Sequence, residues 1–194
     1  MDFNSAVWLF SASIGLLVLA ALSALILNKT AKAANVVPNL ICMAAAVFGL
    51  TGAFLQLLPQ AEAVTIADLT TSVPLLSLQM SVDKLSAFFL FALFLLTFAV
   101  SLYSIGYLRH YYGKRQVGLF NFLYAVFILS MVMVITAANT LFFFLSWEIM
   151  SVVSYFLVVF EHEKQETVKA GTLYVIMTHI AAAFLMIAFM TVFS

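Results

Sequence analysis

Long uncharged runs broken by short polar stretches set the pattern of this chain. A helix crossing the hydrocarbon of a bilayer needs about 20 apolar residues at 1.5 Å rise each. The run Ala6–Leu27 meets that length, and no basic residue precedes it as one would in a signal peptide. Asn39–Leu58 predicts a second helix, opened by Pro38 and closed by Pro59, because a proline at a helix end costs little. Leu85–Leu108 predicts a third. Residues 116–160 contain a single acidic or basic residue, Glu148. As one helix they would run about 67 Å, roughly twice the hydrocarbon thickness, so a turn is required. The polar pair Asn139-Thr140 supplies it, predicting helices over Gly118–Ala137 and Thr140–Phe160. After the polar stretch Glu161–Glu166, Val168–Phe193 predicts a sixth. Between helices 2 and 3, Leu76–Val82 alternates apolar and polar side chains, the period of a strand. The reading is an all-α, polytopic membrane protein. It has about six spans in a single transmembrane domain, with a short strand or hairpin in an extramembrane loop over 59–83. Ser81 is a candidate cap for helix 3, and Asp83 lies where the helix dipole favours an acid.

Charge assigns sides. Seven of the eight basic residues fall in or beside loops 1, 3 and 5, the exception being Lys84. The positive-inside rule then places those loops in the cytoplasm and both chain termini outside. Composition agrees: 65% hydrophobic and 8% charged is too little charge to coat a soluble domain, where about 25% is usual. Net charge is zero, which argues against a nucleic-acid partner. Cys42 is the sole cysteine, so no internal disulfide or multi-cysteine metal site can form. Phosphate loops, zinc spacings and haem-type histidine pairs are lacking. No cofactor or metal is expected, and any redox centre belongs to another subunit. The sequence shows neither an internal repeat nor a low-complexity tract.

Glu148 is the sharpest candidate. It lies near the middle of helix 5, where an acid costs about 2.5–3.5 kcal/mol on insertion scales and is cheaper neutral than ionised. Helical spacing puts Ser151 and Tyr155 on its face. Two readings stand: a proton-relay acid, or a structural acid bonded across helices. His179 and Glu148 are nearly equidistant in sequence from the loop at Glu163, so an antiparallel hairpin brings them to one depth. His179 is then either the imidazole partner of a relay or a hydrogen-bonding link between helices. Lys169 either snorkels to the headgroups or reaches toward Glu148. Gly49, Gly52 and Ala181-Ala182-Ala183 offer small-residue faces for close helix approach. Asp83 and Lys84 read as an interfacial cap and anchor, and Arg109-His110-Tyr111-Tyr112 as a cytoplasmic anchor with an aromatic belt. His162 reads as a solvent residue without a role.

Several segments carry a resemblance to a known family: Gln79-Met80-Ser81-Val82-Asp83-Lys84-Leu85-Ser86-Ala87-Phe88, Ser101-Leu102-Tyr103-Ser104 with Tyr107, Trp147-Glu148-Ile149-Met150-Ser151, and Gly171-Thr172-Leu173-Tyr174 with His179. The chain resembles the antiporter-like membrane subunits shared by respiratory complex I, multisubunit sodium/proton antiporters and membrane-bound hydrogenases. The helix 6 pattern tilts the likeness to the hydrogenase-4 and formate hydrogenlyase branch. The resemblance implies that Glu148 matches a fifth-helix glutamate serving proton transfer, paired in the family with a lysine on a later, broken helix that this chain does not reach. It also implies a bacterial or archaeal cytoplasmic membrane and, as partners, other membrane subunits of a hydrogenase or respiratory complex. The antiporter-like helices missing here would lie on a longer gene product or a second chain, since the expectation is a truncated or split subunit. The function implied is proton translocation within an oxidoreductase complex. The alternatives are a cation/proton antiporter or complex I subunit, and an inert structural fragment.

Overall fold

The computed structural model describes residues 3–69, 78–161 and 165–193. Six helices, each long and apolar enough to cross a membrane, run in order: α1 Phe3–Ile26, α2 Ala31–Gln56, α3 Lys84–Tyr107, α4 Val117–Thr136, α5 Thr140–Val158 and α6 Gln165–Phe193. Short 3-10 turns extend α1, α3 and α5. Between α2 and α3, β1 (Val64–Leu69) and β2 (Leu78–Val82) form an antiparallel pair that aligns Val64 with Val82 and Thr65 with Ser81, with a bulge between Thr65 and Ala67. Leu76 and Ser77 of the predicted strand, and His162, lie outside the described residues.

The core is drawn from α1 to α4. Phe10, Leu17, Leu90 and Phe94 are fully enclosed, with Ala20, Ala45 and Ala46 letting the helices close on one another. A Cβ on Gly49 would enter the ring of Phe94, and one on Gly52 would crowd Phe10 at 3.3 Å. Both glycines therefore serve close approach. Ala182 is buried, while Ala181 and Ala183 are exposed.

Pro38 does not open α2; it lies inside it. Lacking an N–H, a proline leaves the carbonyl four residues earlier without its helical donor, here that of Ala34. Ala34 is fully buried, so water offers no substitute, and the break is tolerated because Asn121 on α4 donates its Nδ2 to the Ala34 carbonyl at 2.9 Å. Asn39 Nδ2 in turn donates to Asn121 Oδ1 at 3.1 Å and to the Asn35 carbonyl at 2.7 Å. Asn35 Nδ2 donates to the Ile105 carbonyl and to the Tyr112 hydroxyl. This asparagine cluster, buried at 0–1% exposure, joins α2, α4 and the end of α3.

On the opposite membrane side, Ser81 is engaged in β2 rather than capping α3. Asp83 is the cap, its carboxylate accepting from the Ser86 N–H at 2.7 Å. The backbone turn of the strand pair sets this choice, since only Asp83 has the extended conformation one step before the helix. Lys84 donates to the Pro59 carbonyl at 3.0 Å, closing loop 2 on itself. Asn139 caps α5 through the Leu141 N–H, and the Ala138 N–H donates to the Gln79 carbonyl, so the α4–α5 turn is stitched to β2.

Asn121→Leu leaves the buried Ala34 carbonyl without the Asn121 donor and should cost about 1–3 kcal/mol. In a Pro38→Ala background, where Ala34 regains a helical donor, the cost should fall; thermal unfolding in detergent reads the difference, and strictly additive losses would refute the account. The Ser86 hydrogen bond holds the Asp83 carboxyl below the usual carboxylate range. Its stabilisation is therefore complete above the unfolded carboxylate pKa and fades as pH falls through the lower folded value. Asp83→Ala should lose about 1 kcal/mol at neutral pH, and the gap to wild type should narrow in acid.

Candidate functional site

The seam between α5 and α6 carries the ionisable residues of mid-membrane. Glu148 is the ninth residue of the 19-residue α5, and His179 stands at the midpoint of α6. Antiparallel packing brings them to one level, with His179 Nε2 3.4 Å from Glu148 Oε2. That is ion-pair distance and long for a hydrogen bond.

The other ring nitrogen defines the proton count. His179 Nδ1 lies 2.9 Å from the Val175 carbonyl. A carbonyl only accepts, so Nδ1 carries a hydrogen and, in neutral imidazole, Nε2 is a bare lone pair. A single further proton can then be held between the two groups, as Glu–OH facing Nε2 or as carboxylate facing imidazolium. Both forms are neutral overall, which suits a low-dielectric setting.

Two more polar contacts continue along the same seam. Ser151 Oγ donates to Thr178 Oγ1 at 2.8 Å, and Thr178 passes its own hydrogen to the Val175 carbonyl at 2.9 Å, the atom that also holds the His179 ring. Ser154 donates to the Ser151 carbonyl at 2.8 Å, so the Tyr174 hydroxyl, 2.8 Å away, is the donor to Ser154. Glu148, Ser151 and Ser154 thus face His179, Thr178 and Tyr174 in three steps. At the foot of the seam Gly171 permits the approach: a Cβ there would run into Val159 and lie 3.2 Å from the Tyr155 ring.

Of the residues singled out from sequence, Glu148, Ser151 and His179 are brought together. Tyr155 is not among them; it packs its ring beside Gly171 and against Phe156 at 5.4 Å. Lys169 is exposed and ten residues before His179 on the same helix, about 15 Å along the axis, so it does not reach Glu148. Ser154, Tyr174 and Thr178 were not foreseen as participants. The spacing of Glu148, Ser151 and Ser154 at every third residue was the available signal.

The seam is open on its outer side. The side chains of His179 and Glu148 are 50% and 44% exposed, among the exposed apolar side chains of Leu145, Ile149, Val152, Ile176 and Ile180. Among the described residues no group of three or more His, Cys, Asp or Glu side chains is arranged to hold a metal.

Comparison with known proteins matches residues 137–194 to the family described as NADH:quinone oxidoreductase/Mrp antiporter, TM. Residues 71–116 match NADH-ubiquinone oxidoreductase (complex I), chain 5 N-terminus. Hydrogenase-4 component B of Escherichia coli is 37% identical over 113 residues, covering 58% of this chain and 16% of that protein. An uncharacterized protein of Mycobacterium tuberculosis is 28% identical over 133 residues, covering 68% of this chain and 20% of its own length. The match thus spans about a fifth or less of these curated relatives. A chain of the archaeal membrane-bound sulfane sulfur reductase shares the fold, with a TM-score of 0.69, 15% identity, and coverage of 92% of this chain and 35% of that one.

The Ser151–Thr178 contact fixes the α5–α6 register. A Ser151→Cys/Thr178→Cys variant, with Cys42 replaced by Ala, should oxidise to an intramolecular disulfide detectable by mass spectrometry of its proteolytic fragments, whereas Tyr155→Cys/Thr178→Cys should not.

Proposed function

We propose that the chain, which matches antiporter-like membrane subunits over residues 71–116 and 137–194 and is 37% identical to hydrogenase-4 component B over 58% of its own length, forms the first six helices of such a proton-translocating subunit in a membrane-bound hydrogenase or formate hydrogenlyase-type complex. Glu148 and His179 take up and release a proton, with Ser151 as support. The observation that carries this reading is their 3.4 Å contact at the middle of both helices. An acid at that depth costs several kcal/mol and is retained where it serves an ion pathway.

Handover follows from the proton count. A proton arriving at the pair converts Glu–OH and neutral His179 to Glu–OH and imidazolium. Departure of one proton restores the neutral pair, and loss of the second leaves a carboxylate beside a bare Nε2. The Val175 carbonyl keeps Nδ1 occupied, so exchange runs through Nε2. The open flank of the seam supports completion by further helices, because half-exposed ionisable groups at that depth are tolerated only against protein or a water-filled cavity. Those helices, and the other membrane subunits of the complex, are the proposed partners. Electron transfer and metals belong to other subunits. The basic loops are proposed to face the cytoplasm of a bacterial or archaeal cell, with both termini outside.

A second reading, a subunit of a cation/proton antiporter or of complex I, is favoured by the family description matched over residues 137–194.

In membrane vesicles bearing the assembled complex, Glu148→Gln should abolish proton movement while subunit assembly survives. His179→Gln should lower it strongly, and Lys169→Gln should leave it near wild type. Normal proton movement in Glu148→Gln would instead support a purely structural fragment. Coupling to a cation gradient without redox substrate would favour the antiporter reading.

A further inference from the structure

We infer that a cleft between the first turn of α1 and the chain leaving α2 binds a primary ammonium group on Gln56 and Glu62, with the carbon stem of the amine against Ala6, Leu55 and Leu58. The cleft has a volume of about 490 Å³, and these five residues line it. None of its described lining residues belongs to α5 or α6, so it is separate from the Glu148–His179 seam.

Gln56 is the anchor. It is the last residue of α2 and 2% exposed, and a buried amide is costly unless its polar atoms are paired. Its Nε2 donates to the Glu62 carbonyl and, at 3.3 Å, to the Val82 carbonyl. Carbonyls only accept, so these two contacts fix which end of the amide is nitrogen. The other end, Oε1, receives no hydrogen bond from any described residue. The side chain is thus held by its nitrogen with one acceptor left for a ligand, and that ligand must donate.

Glu62 sets the charge of the donor. Its backbone carbonyl is tied to Gln56, while the residue itself is exposed at the cleft. No basic side chain occurs among the described lining residues. Residues 59–84 carry the acids Glu62, Asp68 and Asp83 against the single base Lys84. Lys84 shows that this loop receives ammonium groups, since its Nζ donates at 3.0 Å to the carbonyl of Pro59, another lining residue.

The walls narrow the class further. A soluble anion would find the first turn of α1 but face Glu62 with no cation to offset it. A bare metal ion takes about six oxygens, and Ala6, Leu55 and Leu58 offer carbon. An ammonium on an alkyl stem uses both features. Its N–H groups donate to Oε1 and to the carboxylate, the second a charge-assisted pair, and its stem covers the apolar walls.

The test titrates butylammonium into the full chain in nonionic detergent by calorimetry. Butyltrimethylammonium, of equal charge but without N–H groups, is the comparison, and wild type should bind it about tenfold more weakly. Glu62→Gln preserves the backbone contact with Gln56 and should weaken butylammonium about tenfold. Gln56→Met should weaken it too, with circular dichroism reporting whether α2 stays intact; Glu62→Gln decides the matter if it does not. Asp68→Asn, on the same loop but not among the lining residues, should have no effect. Native mass spectrometry from nanodiscs of phosphatidylethanolamine and phosphatidylcholine separates two sources of the amine. Selective retention of phosphatidylethanolamine, lost in Glu62→Gln, identifies a lipid headgroup; butylammonium binding without that selectivity identifies a free amine. Equal affinity for the quaternary ion, unchanged affinity in Glu62→Gln, an equal loss in Asp68→Asn, or binding of inorganic phosphate instead would each overturn the proposal.

Discussion

A carbonyl stripped of its helical partner by Pro38 is the point on which the packing of this bundle turns. Ala34 is fully enclosed, so no solvent reaches its oxygen, and the fold brings a side-chain donor from another helix. Asn121 does this, and its own carbonyl oxygen then engages Asn39. One local defect thereby specifies which faces of α2 and α4 meet. The alanine and glycine contacts that close the rest of the core follow from that alignment, since close approach along α2 is useful only once its rotation is set.

The contrast between core and seam is physical as well as positional. The four first helices enclose their polar groups almost completely, down to hydroxyls that return to their own backbone, such as Thr97 to the Leu93 carbonyl. The α5–α6 seam instead holds its polar groups in a line and leaves its ionisable pair half-covered. The hydroxyls there end on the Ser151 and Val175 carbonyls, which only accept, so they brace the two helices beside the acid and the imidazole. Packing on α6 comes almost wholly from α5, which agrees with a match to a small share of each longer relative.

The extramembrane side is built to keep this arrangement in register. The strand pair seats Val64, Met80 and Val82 on the bundle. The Gln79 carbonyl takes the backbone of the α4–α5 turn, so the cap of α3 and the start of α5 are tied through one small sheet. The position of Glu148 along the bundle is therefore set from the α4–α5 end by hydrogen bonds and from the other end by the close approach at Gly171.

Span number, span length and the turn at Asn139 were legible in the sequence because charge and apolar run length report directly on the solvent each segment prefers. The depth of Glu148 and His179 was legible for the same reason: in an antiparallel hairpin, depth is a matter of counting. Rotation about each helix axis was not, because apolar residues surround these helices on every side and lipid imposes no polar face. Tertiary packing alone decided that Ser154, Tyr174 and Thr178 join the seam while Tyr155 turns to Gly171. The reading of Pro38 as a helix start applied a local preference that a single long-range donor overrode. A carbonyl's partner 87 residues away in sequence is a fact of folding, since nothing in the local chain distinguishes an asparagine that will meet a broken helix from one that will not.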